Sequence, residues 1–493
     1  MTKILKDNWP LFILLILALL TRFLFLSYPA EVVFDEVHFG KFVSAYFIHQ
    51  YYFDIHPPLG KLMIAGFAKI FGFQGNFDFS KIGEVFDAQN LFILRFLPAL
   101  FGVLFVLLIY KFVLLLGLSK KAAFLAGFLI SFDNAFLVES KFILVDIFLL
   151  FFGFLSLYFF LACRQAGILA RQKQKIIYYI LAAFFAGLAL SIKWTGLSFL
   201  GIILLFIFIN PVRNPPCRRH GVSRLGRLIS NGVNFLKRIQ IKQLLIKLTI
   251  FIFVPFIVYL SFFAIHFNLL PKSGPGDAFM SLTFQKTLSG NTVADSAIKP
   301  LTFWQKFVEL NQKMYFYSST LKTGHQDTSR WYQWPLMKKP VWYWTKNLNN
   351  RIANIYLIGN PLIWWLVAVI LPITFFILFF KKIKGKIFYP APSSALVRWP
   401  PIIYLLLLGY FVNLLPFIFI SRAAFLYHYL ITFTFGILIF VLLIEKLLKN
   451  NFFYFSFLFL VILNFLFILP LTYGFPVSSG INDLYQGFIK FIH

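Results

Sequence analysis

The sequence predicts an all-α, multi-pass membrane protein with about eleven transmembrane helices and two long extracytoplasmic loops. Three observations carry that expectation. Only 13% of the 493 residues are charged and 60% are hydrophobic, about half the charged share of an ordinary soluble domain. Apolar runs of roughly 17 to 25 residues, the length that crosses a bilayer as helix, recur from end to end. The net charge of +29 is spread over short loops between those runs, whereas a nucleic-acid binder gathers its cations on one soluble face.

The expected spans lie at 11–27, 91–116, 122–140, 142–162, 176–192, 195–210, 246–268, 361–380, 401–420, 427–445 and 453–473. The first has the weakly basic start of a signal peptide but no small-residue cleavage site, so it reads as a retained signal anchor. With the N-terminus inside, the cytoplasmic connections are SKK (119–121), CRQAGILARQKQK (163–175), 211–245, KKIKGK (381–386) and KLLKNN (446–451). All are basic and none contains an acid, as the positive-inside rule requires. This parity puts the C-terminus outside and makes an anionic membrane surface the partner of the basic loops. Cys163 and Cys217 fall in those loops and are expected to be reduced thiols. The stretch 211–245 reads as a solvated or lipid-touching linker.

The extracytoplasmic segments 28–90 and 271–360 are rich in aromatics, Gly and Pro. Loops of that length usually carry function, and their spaced Phe, Trp and Tyr suggest short helices lying in the membrane interface. There is no internal repeat, no matched pair of broken helices and no nucleotide-binding glycine loop, so ATP or redox energy is not expected.

The chemistry concentrates at one face. VVFDEVHFGK (32–41) places Asp35 and Glu36 at the mouth of the first span, where carboxylates are costly unless paired or employed. YFDIHPPLGK adds Asp54, His56 and Lys61, and LFILRFLPAL adds Arg95. VESKFILVD adds Glu139, Lys141 and Asp146, SIKWTG adds Lys193, and SRAAFLYHYL adds Arg422 and His428. Singly, such residues are commonly snorkelling anchors or neighbours of helix ends. Their agreement on one face is the functional signal. Arg and Lys suit a lipid phosphate. A sugar carried on that phosphate already has a good leaving group, so only the incoming hydroxyl needs a base, and one carboxylate suffices. An inverting displacement through an oxocarbenium-like transition state fits this inventory. Composition and spacing alone leave a membrane enzyme or a transporter of lipid-linked sugars; acids in a loop, not mid-span, weigh against transport. No cofactor is required by the sequence, and the spacing of Asp54, His56 and His428 does not indicate a divalent cation.

FDEVHFGKF, YFDIHPPLGKL, VESKFILVD, SIKWTG, TSRWYQWPLM, IGNPLIWW and FLYHYL, in that order from Phe34 to Leu430, resemble the successive motifs of the protein O-mannosyltransferase family. The resemblance implies a single GT-C membrane domain over 1–493 with eleven spans. It implies transfer of mannose from polyprenyl-phosphate mannose to Ser or Thr of secreted or membrane proteins, with inversion. By motif position Asp35 is the general base and Glu36 its partner in positioning acceptor and donor. Arg95, His56, Lys193, Arg422 and His428 are expected around the donor phosphate, with Asp54, Lys61, Glu139, Asp146, Arg330 and Trp331 in support. The second long loop is too short for the β-trefoil domain of eukaryotic members, which implies a compact prokaryotic-type form in a cell membrane. Lys141 stands where many relatives have Arg, and ITFTF follows HYL where a Pro-Ala pair is more usual. A sister GT-C enzyme with a lipid or glycan acceptor is the alternative, and the RWYQWPLM–GNP pair favours the protein acceptor.

Overall fold

The computed structural model describes residues 2–165, 172–209, 226–320, 324, 326–383, 402–420 and 422–493. Cys217 and parts of the basic stretches 163–175, 211–245 and 381–386 lie outside them. The chain begins with α1 (Thr2–Phe23), followed by α2 (Glu36–Ile48) and α3 (Leu59–Ile70) within the first long loop. The bundle continues with α4 (Ala88–Leu115), α5 (Lys120–Ser131), α6 (Asn134–Lys141), α7 (Asp146–Gln165), α8 (Gln172–Ile192), α9 (Leu197–Ile209) and α10 (Gly226–Leu269). The second long loop holds α11 (Leu282–Gln285) and α12 (Phe303–Thr320), then β1 (Val341–Leu348) and β2 (Arg351–Leu357). Last come α13 (Pro361–Ile383), α14 (Ile402–Leu414), α15 (Leu430–Ile444), α16 (Asn451–Tyr473), β3 (Val477–Ser478) and α17 (Ser479–Ile492).

Seven helices among the described residues are long and apolar enough to span a bilayer, or eight if α5 and α6, bent by 60° at their junction, make one broken span. The three other expected spans are apolar helices at Asn8–Phe23, Trp194–Phe208 and Ile402–Ile418, all within 10–17 residues. The structure therefore supports seven or eight spans by length and composition, not a count of eleven. Part of 211–245 is helical. From Gly226 onward that stretch is the start of α10, because Ile229, Val233, Leu236 and Ile239 recur at helical spacing.

Helix α4 is central, packed against α1, α5 and α7, while α8 lies between α7 and α10 and α15 between α13 and α14. Phenylalanine fills the contacts, as where Phe154 meets Phe105, Phe112, Phe199 and Phe435. At one end of the bundle the turns at 119–121 and 445–451 meet. The Ser119 N–H donates to Glu445 at 2.7 Å and Lys121 Nζ to Asn451 at 2.6 Å.

At the other end the two long loops form one cap. The N–H of Tyr51 donates to the carbonyl of Lys272 (2.8 Å) and that of Phe34 to the carbonyl of Tyr343 (3.1 Å). Trp344 Nε1 donates to Glu31 at 2.8 Å. The cap contains a three-stranded antiparallel sheet, β1-β2-β3, in a chain expected to be all helical. Helix α17 closes it, with Tyr485 donating to the Phe467 carbonyl at 2.7 Å.

Candidate active site

Asp35 and Glu36 are adjacent in sequence and opposite in circumstance. Glu36 opens α2 and is fully buried. Arg95, on α4 and equally buried, donates Nε to Oε1 and Nη2 to Oε2, both at 2.8 Å. Each carboxylate oxygen also takes a backbone N–H, Oε2 from Val33 (2.9 Å) and Oε1 from Ile143 (3.0 Å). The other Arg95 donors go to the carbonyls of Glu31, Pro29 and Leu26 at 3.0 to 3.3 Å. All five guanidinium N–H groups are thereby committed. As bonded here, the donors of Arg95 and the lone pairs of Glu36 are turned to one another and to the backbone, not toward a phosphate or an acceptor. They clasp the Asp35 loop to α4 and to the chain entering α7.

Asp35 stands at the N-cap position of α2, yet its side chain caps nothing. The side chain is half-buried and has no hydrogen bond or ion pair among the described residues, while the backbone carbonyl accepts the N–H groups of His38 and Phe39 at 2.9 Å. Loss of hydration pushes its carboxyl up to about 6, with the charges of His38, Lys193, Asp146 and Asp54 around it. The neighbouring charges are paired. Lys193 holds both Asp146 oxygens at 2.9 and 2.7 Å. Lys61, buried in α3, bonds Asp54 and the His56 carbonyl (2.9 Å). Burial, then the charges of Lys193, Lys61, Arg422 and His428, hold the His56 imidazole well below its usual value and hence neutral. Asp54, His56, Lys61, Asp146, Lys193, Arg422 and His428 thus gather with Asp35 at one end of the bundle.

Arg422 differs from the other cations. Among the described residues it donates to a neutral hydroxyl, Ser318 Oγ at 2.9 Å. It lines a cavity of about 110 Å³ together with Arg330, Trp331, Trp334, Thr328 and Ser329. Arg330 is exposed there. Trp334 is fully buried, bonds Ser329 Oγ at 2.9 Å and stacks near-parallel to His428. The RWYQWPL segment is thereby seated on the SRAAFLYHYL turn, and Arg330 and Trp331 share the lining of the Arg422 cavity.

GNPLIWW serves the frame. Asp133 caps α6 through the N–H groups of Ala135 and Phe136 (3.1 and 3.3 Å) and also accepts Asn360 N–H (3.0 Å) and Trp364 Nε1 (2.8 Å). Asn360 bonds the carbonyls of Phe132 and Val461. This clamp sets the α5–α6 bend and so the height of Glu139. Glu139, behind Asp35, accepts the Tyr343 hydroxyl at 2.7 Å; Tyr343 went unnoticed in the sequence. No three His, Cys, Asp or Glu side chains among the described residues are grouped to hold a metal ion.

The family model for dolichyl-phosphate-mannose-protein mannosyltransferase matches residues 12–271, over half the chain. That for the C-terminal four-transmembrane region of protein O-mannosyltransferase matches 303–487. The chain belongs to the protein O-mannosyltransferase family. Protein O-mannosyltransferase 1 of Drosophila melanogaster is 32% identical over 295 residues, 60% of this chain and 31% of the fly protein. Dolichyl-phosphate-mannose–protein mannosyltransferase 1 of Saccharomyces cerevisiae is 34% identical over 278 residues, 55% of this chain and 32% of the yeast one. The chain thus spans about a third of the length of the curated relatives it matches. The S. cerevisiae Pmt1-Pmt2 complex bound to the sugar donor superposes with a TM-score of 0.80 at 21% identity, over 98% of this chain and 92% of the other. At that identity the likeness speaks for the fold, which is the GT-C type expected.

Proposed function

We propose that this chain transfers mannose from polyprenyl-phosphate mannose to Ser or Thr hydroxyls of secreted or membrane proteins. The reaction is an inverting single displacement at the extracytoplasmic face of a cell membrane, the N-terminus being cytoplasmic. The observation that carries the reading is Asp35: a carboxylate without a bonding partner, in a ring where the other charges are largely paired, with its proton affinity raised toward neutrality. A base works best when its pKa lies near the working pH.

Asp35 takes the proton of the acceptor hydroxyl as that oxygen bonds to the anomeric carbon. The bond from that carbon to the phosphate oxygen breaks, and polyprenyl phosphate leaves with the electron pair. Arg422, which donates to the neutral Ser318 hydroxyl, answers the charge on the phosphate. Lys61 and Lys193, held by Asp54 and Asp146, fix the field around Asp35. Because the leaving group is already a phosphate, the reaction needs no general acid and no cofactor.

The test is transfer of label from polyprenyl-phosphate [3H]mannose to a Ser/Thr-rich peptide in membranes containing the protein, against membranes lacking it. Label in peptide supports the proposal. Label only in a lipid or glycan fraction replaces it with the sister-enzyme reading, and no transfer at all returns the transporter.

A further inference from the structure

The Asp35 loop is held from a second direction, by a strand that the mechanism does not use. Between Trp342 and Trp344 the register of β1 against β2 shifts, and Tyr343 has no cross-strand partner. It is the extra residue of a β-bulge, a device that re-aims a side chain and frees its backbone groups. Here both happen. The Tyr343 carbonyl accepts the N–H of Phe34 at 3.1 Å. Its ring stacks on that of Phe34, with centroids 4.2 Å apart and planes within 18°. Its hydroxyl donates to Glu139 Oε1 at 2.7 Å. Tyr343 is fully buried and Glu139 nearly so.

Phe34 is the residue before Asp35, and its φ is 42°. A bulky residue in the left-handed region is unfavourable and persists only when its surroundings impose it. Tyr343 supplies two of the contacts that hold it, one on the backbone and one on the ring of Phe34. Among the described residues the other oxygen of Glu139, Oε2, is buried with no partner, so the Tyr343 hydroxyl is the one hydrogen bond found there to that carboxyl. The three contacts form a chain from α6 through the bulge to the backbone that aims Asp35.

We propose that Tyr343 is a positioning residue for the base, anchored by Glu139, and that it sets the Asp35 backbone from the second extracytoplasmic loop. The inference rests on Asp35 being the base. Misplacing a reacting group by about 1 Å can cost 10²-fold in rate, so loosening the anchor should lower turnover without weakening substrate binding.

The experiment is a double-mutant cycle on the purified protein with donor and peptide: Tyr343→Phe, Glu139→Ala, both together, and Asp35→Asn alongside. Tyr343→Phe removes one oxygen and keeps ring and backbone, so it tests the anchor without emptying the core. The expected result is a kcat reduced roughly tenfold in Tyr343→Phe, with both KM values within about twofold of wild type. The double variant should fall no further than the weaker single one. Wild-type kcat in Tyr343→Phe overturns the inference, and so do losses that multiply in the double variant. A fully active Asp35→Asn would instead overturn the assignment of the base on which it rests.

Discussion

Replacing Glu36 by Gln separates a structural acid from a chemical one. Each Glu36 oxygen accepts one Arg95 N–H and one backbone N–H. Turning either oxygen into an amide NH2 deletes two of the four bonds and sets donor against donor. It also leaves the Arg95 charge buried without its counter-charge. Breaking a buried pair in this way typically costs about 3–5 kcal/mol. In a chain of this size that corresponds to a fall in melting temperature of roughly 3–5 °C. Thermal unfolding in detergent, followed by the fluorescence of the 10 Trp residues, reads it directly. Arg95→Ala should behave alike. A Glu36→Gln protein that melts with the wild type yet has lost its turnover would refute the reasoning and return Glu36 to the chemistry.

Turnover should depend on the unprotonated form of Asp35. Its carboxyl is raised from 3.8 to about 6, so kcat/KM should be level above that pH and fall tenfold per unit below it; a limb near 4 would mean that Asp35 is better solvated than its surroundings imply. Arg422→Ala should raise the KM for the lipid donor by about tenfold or more with little change for the peptide, measured by varying each substrate in turn. Asp133→Ala leaves the N–H groups of Ala135, Phe136, Asn360 and Trp364 without their acceptor. It should destabilise by about 3 kcal/mol or more, seen as a lowered melting temperature.

Much of the architecture was legible because bilayer length and apolarity are written in composition. The last span was expected at 453–473 and its helix is found at Asn451–Tyr473. The bend between α5 and α6 was not legible, since it depends on Asp133 being met by Asn360 and Trp364 from more than 200 residues away. The hairpin had a signal that went unread: VWYWTKNL and RIANIYL are strand-prone runs around an Asn-Asn turn. Aromatic richness suggested interfacial helices there, and only pairing within the cap made strands of it. At the site, residue types and their common face were readable, but the allotment of partners was not. Adjacent carboxylates look equivalent in sequence. Burial and the reach of Arg95 made one a clasp and left the other unbonded.

The central claim is that the unbonded one is the base. The measurement that tests it most directly compares purified wild type with Asp35→Asn in mannosyl transfer from polyprenyl-phosphate mannose to peptide, with melting curves run on both. The account predicts a rate lower by roughly 10² to 10⁴. It also predicts a melting temperature at neutral pH no lower than wild type. A raised carboxyl pKa means that ionisation above about pH 6 costs the fold stability, here up to about 3 kcal/mol and less where solvent reaches the group. Undiminished transfer by a folded Asp35→Asn protein would contradict it.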